Sequence, residues 1–178
     1  MIVRSHAHAG LAEKEFRLLQ ILQAQAIRTP VPHLLDHTSM AASLVIDYTE
    51  GEMCFTPADL NGYMRQLASQ LAHIHHLDLS QHDLSFLPKN SGLCAELGRE
   101  RPFPNARFSQ EAEIRTLLAA QGSPKSQNNI TLLHGDFWPG NSLWRDGRLT
   151  AVIDWEDALL GDPLIDLAQS RSEITWIF

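Results

Sequence analysis

The sequence predicts an α+β protein built in two unequal parts. Its hydrophobic positions follow a short strand, a helix and two strands, and then a mostly helical region with one tight hairpin turn. The chain has 178 residues, of which 44% are hydrophobic, so it can bury a substantial core without disulfides. We expect residues 1–49 to form a small sheet-containing part and residues 50–178 a larger helical part.

The net charge and the cysteine content argue against several classes of function. Lys and Arg number 14 against 21 Asp and Glu, which gives a net charge of -7, and no basic run is present to attract a nucleic acid. Cys54 and Cys94 form no CxxC pair, and the sequence shows neither an apolar leader nor a run of the ~20 apolar residues that a membrane helix needs. We therefore expect a cytoplasmic protein with no nucleic-acid or membrane partner.

The first helix is predicted over residues 11–26, and its apolar stripe contains one charged residue. A buried carboxylate at Glu15 is costly unless a cation meets it. Arg4, on the strand-like residues 2–4, is the nearest candidate. Two prolines end the helix, and strands are predicted over 31–37 and 43–49.

The larger part is predicted to begin with a helix that Thr56 caps, with Pro57 in its first turn. Residues 80–107 are predicted to form a loop with short helical pieces, and a second helix is predicted over 109–120. Strand, loop and hairpin follow up to Asp154, and Asp162 caps a last helix.

The dipeptide Asp146-Gly147 predicts a two-residue hairpin turn. Counting outward predicts the pairs Trp144–Leu149, Leu143–Thr150, Ser142–Ala151 and Asn141–Val152. Residues two apart share a face, so Asn141 and Asp154 become diagonal neighbours within ~8 Å.

An amide oxygen and a carboxylate aimed at one point favour binding of Mg²⁺. Oxygens of phosphate and water then complete its coordination. Asp136 lies five residues before Asn141 and supplies a nearby carboxylate that can take a proton from an alcohol. Each of these residues alone is a common turn or cap residue. Together with Asp154 they indicate a metal site.

Four motifs stand in a fixed order: His134-Gly135-Asp136 with Asn141 five positions later, Ile153-Asp154-Trp155, Gly161-Asp162-Pro163 and Asp166-Leu167-Ala168. This series resembles the aminoglycoside phosphotransferase family, small-molecule kinases that share the protein-kinase fold. The resemblance covers essentially the whole chain. It implies a partial protein-kinase-like fold, with a small remnant β-sheet lobe and a larger helical lobe that carries a catalytic hairpin.

The resemblance also implies residue roles in the larger lobe. Asp136 corresponds to the catalytic base or orienting residue for the acceptor hydroxyl, and Asn141 and Asp154 correspond to Mg²⁺ ligands. His134 and Asp166 would support the loop around Asp136.

In the small lobe, the resemblance assigns Arg4 to the phosphates of ATP and Glu15 to pairing with Arg4. The hinge residues Asp47, Tyr48 and Thr49 would lie against the adenine. The implied reaction is phosphate transfer from ATP to a hydroxyl of a small molecule.

Two departures from the family pattern affect the expected activity. The glycine-rich hairpin that covers the phosphates in such kinases has no counterpart before Arg4, and the family continues beyond the helix that begins near Asp162. The chain thus resembles a kinase truncated at both ends, from which weak or absent turnover is expected.

Other interpretations remain open. One is a nucleotide- or partner-binding remnant without turnover, and a weaker one is a metal-dependent hydrolase that uses the same carboxylates. A zinc site at His73 and His76 is disfavoured, because no third ligand has suitable spacing. The sequence does not select the acceptor, the oligomeric state or ATP over GTP.

Overall fold

The fold is seen in a computed structural model, which describes residues 1–6, 8–36, 42–90, 111–121 and 128–178. The strands and helices follow the predicted order, with one additional short strand near the end of the chain, and they agree with the α+β class expected from the sequence. Cys94 and most of the predicted 80–107 loop lie outside the described residues.

The first sheet contains three antiparallel strands in the order β1-β3-β2: β1 (Ile2–His6), β2 (Pro32–Asp36) and β3 (Ala42–Ile46). Arg4 pairs with Leu44 across β1 and β3. The predicted third strand was too long, since it included residues 47–49, which follow the last ladder residue, Ile46.

Helix α1 (Ala9–Ala24) packs on this sheet. It ends two residues before the predicted limit, because Ala26 adopts a left-handed backbone with φ 57°. The predicted buried stripe is largely correct, with Leu18, Leu19 and Leu22 buried. Glu15 is buried on the same face.

Helix α2 (Leu60–His75) begins later than predicted, and Asp59 rather than Thr56 caps it. The Asp59 carboxylate accepts a hydrogen bond from the backbone N–H of Gly62 at 2.9 Å. A β-carbon at position 62 would lie 2.3 Å from an Asp59 oxygen. Glycine therefore allows the carboxylate to approach the helix end closely.

The remaining elements are α3 (Glu111–Gln121), β4 (Thr131–Leu133), β5 (Ser142–Arg145), β6 (Arg148–Val152), β7 (Leu159–Gly161) and α4 (Leu164–Ile177). Single 3-10 turns at Pro139–Asn141 and Trp155–Asp157 flank the β5–β6 hairpin. Strand β7, which the sequence interpretation missed, pairs with β4. The predicted cap of α4 is confirmed, since the Asp162 carboxylate accepts from the Leu164 N–H at 2.9 Å.

One hydrophobic cluster includes residues from both predicted parts, among them Leu18, Leu22, Leu44, Leu67, Ile74, Leu132, Val152 and Trp155. The division at residues 49 and 50 stays a prediction. This shared packing positions α1 and the first sheet against the turn that follows Asp154. None of the described helices is both long and apolar enough to cross a membrane.

Candidate active site

The β5–β6 hairpin turns where the sequence predicts it. Asp146 and Gly147 have φ of 50° and 71°, the left-handed values that a tight two-residue turn requires. Beyond the pair Trp144–Leu149 the register shifts by one residue. The predicted pairs Leu143–Thr150, Ser142–Ala151 and Asn141–Val152 are wrong, because Leu143 pairs with Ala151 and Ser142 with Val152.

Trp144, beside this bulge, also bonds to a residue outside the hairpin. The backbone N–H and C=O of Trp144 bond to Glu52, each at 2.9 Å, and turn away from β6. The hydroxyl of Thr150 donates to the carbonyl of Leu143 at 3.0 Å. The segment that connects the two predicted parts is therefore fastened directly to the hairpin.

The bulge changes how Asn141 faces Asp154. The carbonyl of Asn141 accepts from the N–H of Ile153 at 3.0 Å, so Asn141 lies one residue nearer to Asp154 than predicted. Asn141 ends a 3-10 turn, and Asp154 has left-handed backbone angles, φ 66° and ψ 63°. Strand alternation does not apply to either residue, and their joint binding of Mg²⁺ stays a prediction.

The 134–141 loop, which precedes the hairpin, holds the Asp136 carboxylate between two amides. The side-chain N–H₂ of Asn141 donates to Asp136 Oδ2 at 2.8 Å and to its backbone carbonyl at 2.9 Å. The side-chain N–H₂ of Gln169, on α4, donates to Asp136 Oδ1 at 2.8 Å. Asp136 and Asn141 are thus brought together as predicted.

The buried Asp166 carboxylate organises the start of this loop. It accepts hydrogen bonds at 2.9 Å from the backbone N–H groups of His134 and Gly135, and it lies 2.9 Å from the Nε2 of His75. Gly135 has φ 83°, and a β-carbon there would lie 2.2 Å from the carbonyl oxygen of Asp157. Only glycine fits this close approach.

His134 connects the loop to the strand before Asp154. Its Nδ1 accepts from the N–H of Asp136 at 3.2 Å, and its Nε2 lies 3.0 Å from the carbonyl of Ile153. These partners require a neutral ring that carries its proton on Nε2. Complete burial lowers the pKa of His134 from 6.5, more strongly than the carboxylate of Asp166 raises it.

A second group of charges, which we name the Arg4 cluster, contains Arg4, His6, Glu15, Asp154 and Glu156. The Arg4 guanidinium bonds to Asp154, lies 3.0 Å from Glu15 and lies 3.2 Å from Glu156. Burial lowers the pKa of Arg4, but the hydrogen bond to Asp154 and the three negative charges outweigh it, so the net shift is upward. The predicted Arg4–Glu15 pair therefore exists.

Glu15 is the costliest member of the Arg4 cluster to ionise. Its side chain is 2% exposed, and burial raises its pKa to about 7, although Arg4 acts in the opposite direction. Its Oε2 lies 2.9 Å from His6 Nε2, but neither atom makes a hydrogen bond. Burial, and then Arg4, lower the pKa of His6.

A cavity of about 270 Å³ opens beside the Arg4 cluster. Arg4, Glu15 and Asp154 line one side, and residues 47–49 line it after the end of β3. All five predicted nucleotide-binding residues thus border one space. Its apolar walls come from Ile2, Leu19, Ile46, Leu143, Ile153 and Trp155.

Sequence reasoning missed Gln169, Glu156 and His6. Gln169 lies one helical turn after Asp166, and this spacing places both on one face of α4. Glu156 stands two residues after Asp154, and His6 two residues after Arg4 on the same face of β1. In each case a spacing signal existed beside a residue already singled out.

Few metal-binding side chains lie close together in the described part of the chain. Within those ranges no group of three or more His, Cys, Asp or Glu side chains is arranged to hold a metal ion. The predicted magnesium ligands are one amide and one carboxylate. Such a pair relies on phosphate and water oxygens for the rest of its coordination.

The chain resembles known proteins in sequence. Residues 1–175 match the family model APH, described as a phosphotransferase enzyme family. Acyl-CoA dehydrogenase family member 11 of Rattus norvegicus is 27% identical over 183 residues, which is 92% of this chain and 23% of that protein. Hygromycin-B 4-O-kinase of Escherichia coli is 40% identical over 52 residues, 29% of this chain and 14% of that protein. The chain thus spans about a quarter of the length of the first of these relatives.

Solved structures share the fold. Aminoglycoside phosphotransferase APH(3'')-Id from Streptomyces rimosus, in complex with ADP and streptomycin, superposes with a TM-score of 0.71 at 18% identity, covering 98% of this chain and 72% of that one. A thermostable mutant of aminoglycoside phosphotransferase APH(4)-Ia gives 0.70 at 20% identity, covering 93% and 62%. The resemblance inferred from the motifs is confirmed, and with a family model matched over nearly its whole length the chain belongs to the phosphotransferase enzyme family APH.

Proposed function

We propose that this chain transfers the terminal phosphate of ATP, with Mg²⁺, to a hydroxyl group of a small molecule. The observation that carries the proposal is the Asp136 carboxylate, which two amides hold at 2.8 Å. One of those amides belongs to Asn141, whose backbone bonds to the residue before Asp154. Membership of a phosphotransferase family supports this reaction class.

The cavity beside the Arg4 cluster is the proposed nucleotide site. Its apolar walls suit a purine, and residues 47–49 border it. Arg4 faces the same space and supplies a cation for phosphate oxygens. ADP in one structural relative and AMP-PNP in another support a nucleoside triphosphate as the donor.

The residues present fit a magnesium ion by their chemistry. The N–H₂ of Asn141 is turned toward Asp136, so the oxygen of the same amide points away from Asp136. Asp154 adds a partly exposed carboxylate. These are the hard oxygen donors that Mg²⁺ prefers, and Mg²⁺ bound there would neutralise charge on the nucleotide phosphates.

Asp136 handles the proton of the acceptor. The acceptor oxygen forms a bond to the γ-phosphorus while the bond from that phosphorus to the bridging oxygen of ADP breaks. The hydroxyl proton passes to Asp136, and ADP leaves with the electron pair. Each Asp136 oxygen accepts one amide N–H and keeps a further lone pair for the hydroxyl.

The acceptor in this proposal is a small polar alcohol. A net charge of -7 suits a polycationic aminoglycoside, and hygromycin B and streptomycin in structural relatives support that class. Cytoplasmic location is part of the proposal, because the reaction needs ATP and a free thiol at Cys54 suits a reducing compartment.

Transfer of labelled γ-phosphate tests the proposal. The chain is incubated with Mg²⁺, labelled ATP and single acceptors, including aminoglycosides, choline, homoserine and sugars. We expect slow transfer that depends on one acceptor class and falls about 10²- to 10⁴-fold in Asp136→Ala. Acceptor-independent release of phosphate would indicate a hydrolase instead, and Mg²⁺-dependent ATP binding without transfer would indicate a nucleotide-binding remnant.

A further inference from the structure

Helix α4 contacts four consecutive residues of the 134–141 loop through one face. Asp166 accepts from the backbone N–H groups of residues 134 and 135, and the Ser170 hydroxyl donates to the carbonyl of residue 137 at 2.6 Å. Gln169 lies between them and donates to Asp136. Positions three and four apart share a helix face, so this alignment follows from the helical repeat.

Gln169 differs from its two neighbours in what it touches. Asp166 and Ser170 bond to loop backbone, and both are buried. Gln169 is only half-buried and bonds to the side chain of Asp136, at Oδ1 and 2.8 Å. The hydrogen bonds of the loop backbone therefore do not depend on Gln169. Its side chain instead contacts the carboxylate that the proposed reaction uses.

The Asp136 carboxylate is held from both sides. Asn141 donates to one oxygen and Gln169 to the other, each at 2.8 Å. Rotating the carboxylate would break both hydrogen bonds, so the pair fixes the direction of the remaining lone pairs. A neutral amide orients the carboxylate without adding a positive charge, which would weaken it as a proton acceptor.

We infer that Gln169 is a positioning residue for phosphate transfer, which aims the Asp136 carboxylate at the acceptor hydroxyl. The inference rests on the proposed function. Small misplacements of a reacting group reduce rates by about 100-fold, so losing one of two clamping hydrogen bonds is expected to slow the reaction without weakening nucleotide binding.

The test compares Gln169→Met with Arg171→Met. Methionine keeps the length of glutamine and removes the donor, and Arg171 is an exposed residue on the same helix. We expect Gln169→Met to lower kcat about 10- to 100-fold, with KM for ATP within about twofold and the melting temperature unchanged. Arg171→Met should match the unmodified chain in all three.

A double variant separates positioning from general damage. In an Asp136→Ala background, Gln169→Met should cause no further loss, because its partner is gone. If Gln169→Met retains kcat within about twofold while Asp136→Ala loses transfer, the inference is wrong and the proposed function stands. A fall in melting temperature that accounts for the lost activity also contradicts the inference. Absence of transfer by the unmodified chain contradicts the proposed function itself, and the positioning role falls with it.

Discussion

The 134–141 loop and the Arg4 cluster are both rich in buried polar groups, but they pair these groups differently. At the loop, the His134 ring, the Asp136 carboxylate and the Asp166 carboxylate of α4 each have matched hydrogen-bond partners. In the Arg4 cluster, one guanidinium faces three carboxylates. There, Glu15 and His6 each leave a buried atom without a hydrogen bond.

Under the proposed function, this difference assigns the chemical step to a rigid 134–141 loop and nucleotide binding to a more responsive Arg4 cluster. A fully paired network holds its geometry before a substrate arrives. A cation shared among several carboxylates can be redistributed, because an arriving phosphate competes for the same N–H donors. We therefore expect loop substitutions to reduce turnover or stability and cluster substitutions to alter nucleotide affinity and pH dependence.

The largest effect is expected at Asp136. Replacement by alanine removes the proton acceptor from the loop, and general-base groups contribute about 10²- to 10⁴-fold. Transfer should fall within that range, with ATP affinity retained. The measurement is kcat together with the Kd for ATP. Unchanged kcat would remove the functional distinction between the loop and the cluster.

The next effect is one of stability, at Asp166. Alanine would leave the buried N–H of His134, the partly buried N–H of Gly135 and the ring of His75 without their acceptor. Each unpaired buried group costs about 1–3 kcal/mol, so we expect an overall loss of about 3 kcal/mol and a melting temperature lower by about 10 °C.

A matched control for Asp166 is Glu173→Ala, an exposed carboxylate on α4. It should leave the melting temperature within about 1 °C, as surface substitutions usually do. If the two variants melt together, the loop does not depend on the buried carboxylate.

The Arg4 cluster predicts a pH dependence through Glu15. Its folded pKa of about 7 lies above the usual carboxyl value, so folding favours the protonated form of Glu15. The stability gained in this way is complete below pH ~4.5 and is lost as pH rises through about 7. Compared with Glu15→Gln, the unmodified chain should lose on the order of 3 kcal/mol between those pH values. Urea unfolding across pH 4–8 measures the difference, and other titrating groups cancel between the two proteins.

Glu13→Gln is the control for this titration, because Glu13 is exposed on the same helix. It should not reproduce the pH-dependent stability difference expected between Glu15→Gln and the unmodified chain. A stability difference for Glu15→Gln that stays constant with pH would show that folding does not shift the pKa of Glu15, and a change in the opposite direction would show that folding favours its ionised form.

The smallest of these effects concerns Arg4. Arg4→Met should raise KM for ATP about tenfold, since a charged hydrogen bond contributes about 1.5–3 kcal/mol and release of Asp154 from its partner offsets part of the loss. We expect kcat to change less than KM. A kcat loss as large as that of Asp136→Ala, with KM unchanged, would place Arg4 in the chemical centre instead.

Sequence patterns correctly predicted the structural features that depend on residues near one another in the chain. The Asp146-Gly147 turn, the cap of α4 and the Arg4–Glu15 pair follow from neighbouring residues or from one charge in an apolar stripe. The motif order predicted the family correctly, because its residues keep their spacing along the chain.

The features that the sequence analysis missed depend on contacts between distant residues or on very short segments. The register of the hairpin shifts beyond the pair Trp144–Leu149, where Glu52 from outside the hairpin bonds to Trp144, and no pattern within residues 141–154 signals this shift. Strand β7 has three residues, too few for a period. Gln169 shares a helix face with Asp166, but its contact with Asp136 depends on how the 134–141 loop packs against α4.

The most direct test of the central claim is the magnesium dependence of ATP binding, measured by titration calorimetry with and without Mg²⁺. The proteins are the unmodified chain, Asp154→Asn, and Asp146→Asn as a control carboxylate in the turn of the same hairpin. We predict that Mg²⁺ tightens ATP binding in the unmodified chain and in Asp146→Asn, and that Asp154→Asn loses this tightening. Equal magnesium dependence in all three proteins, or none in the unmodified chain, would contradict a metal–nucleotide site at Asp154.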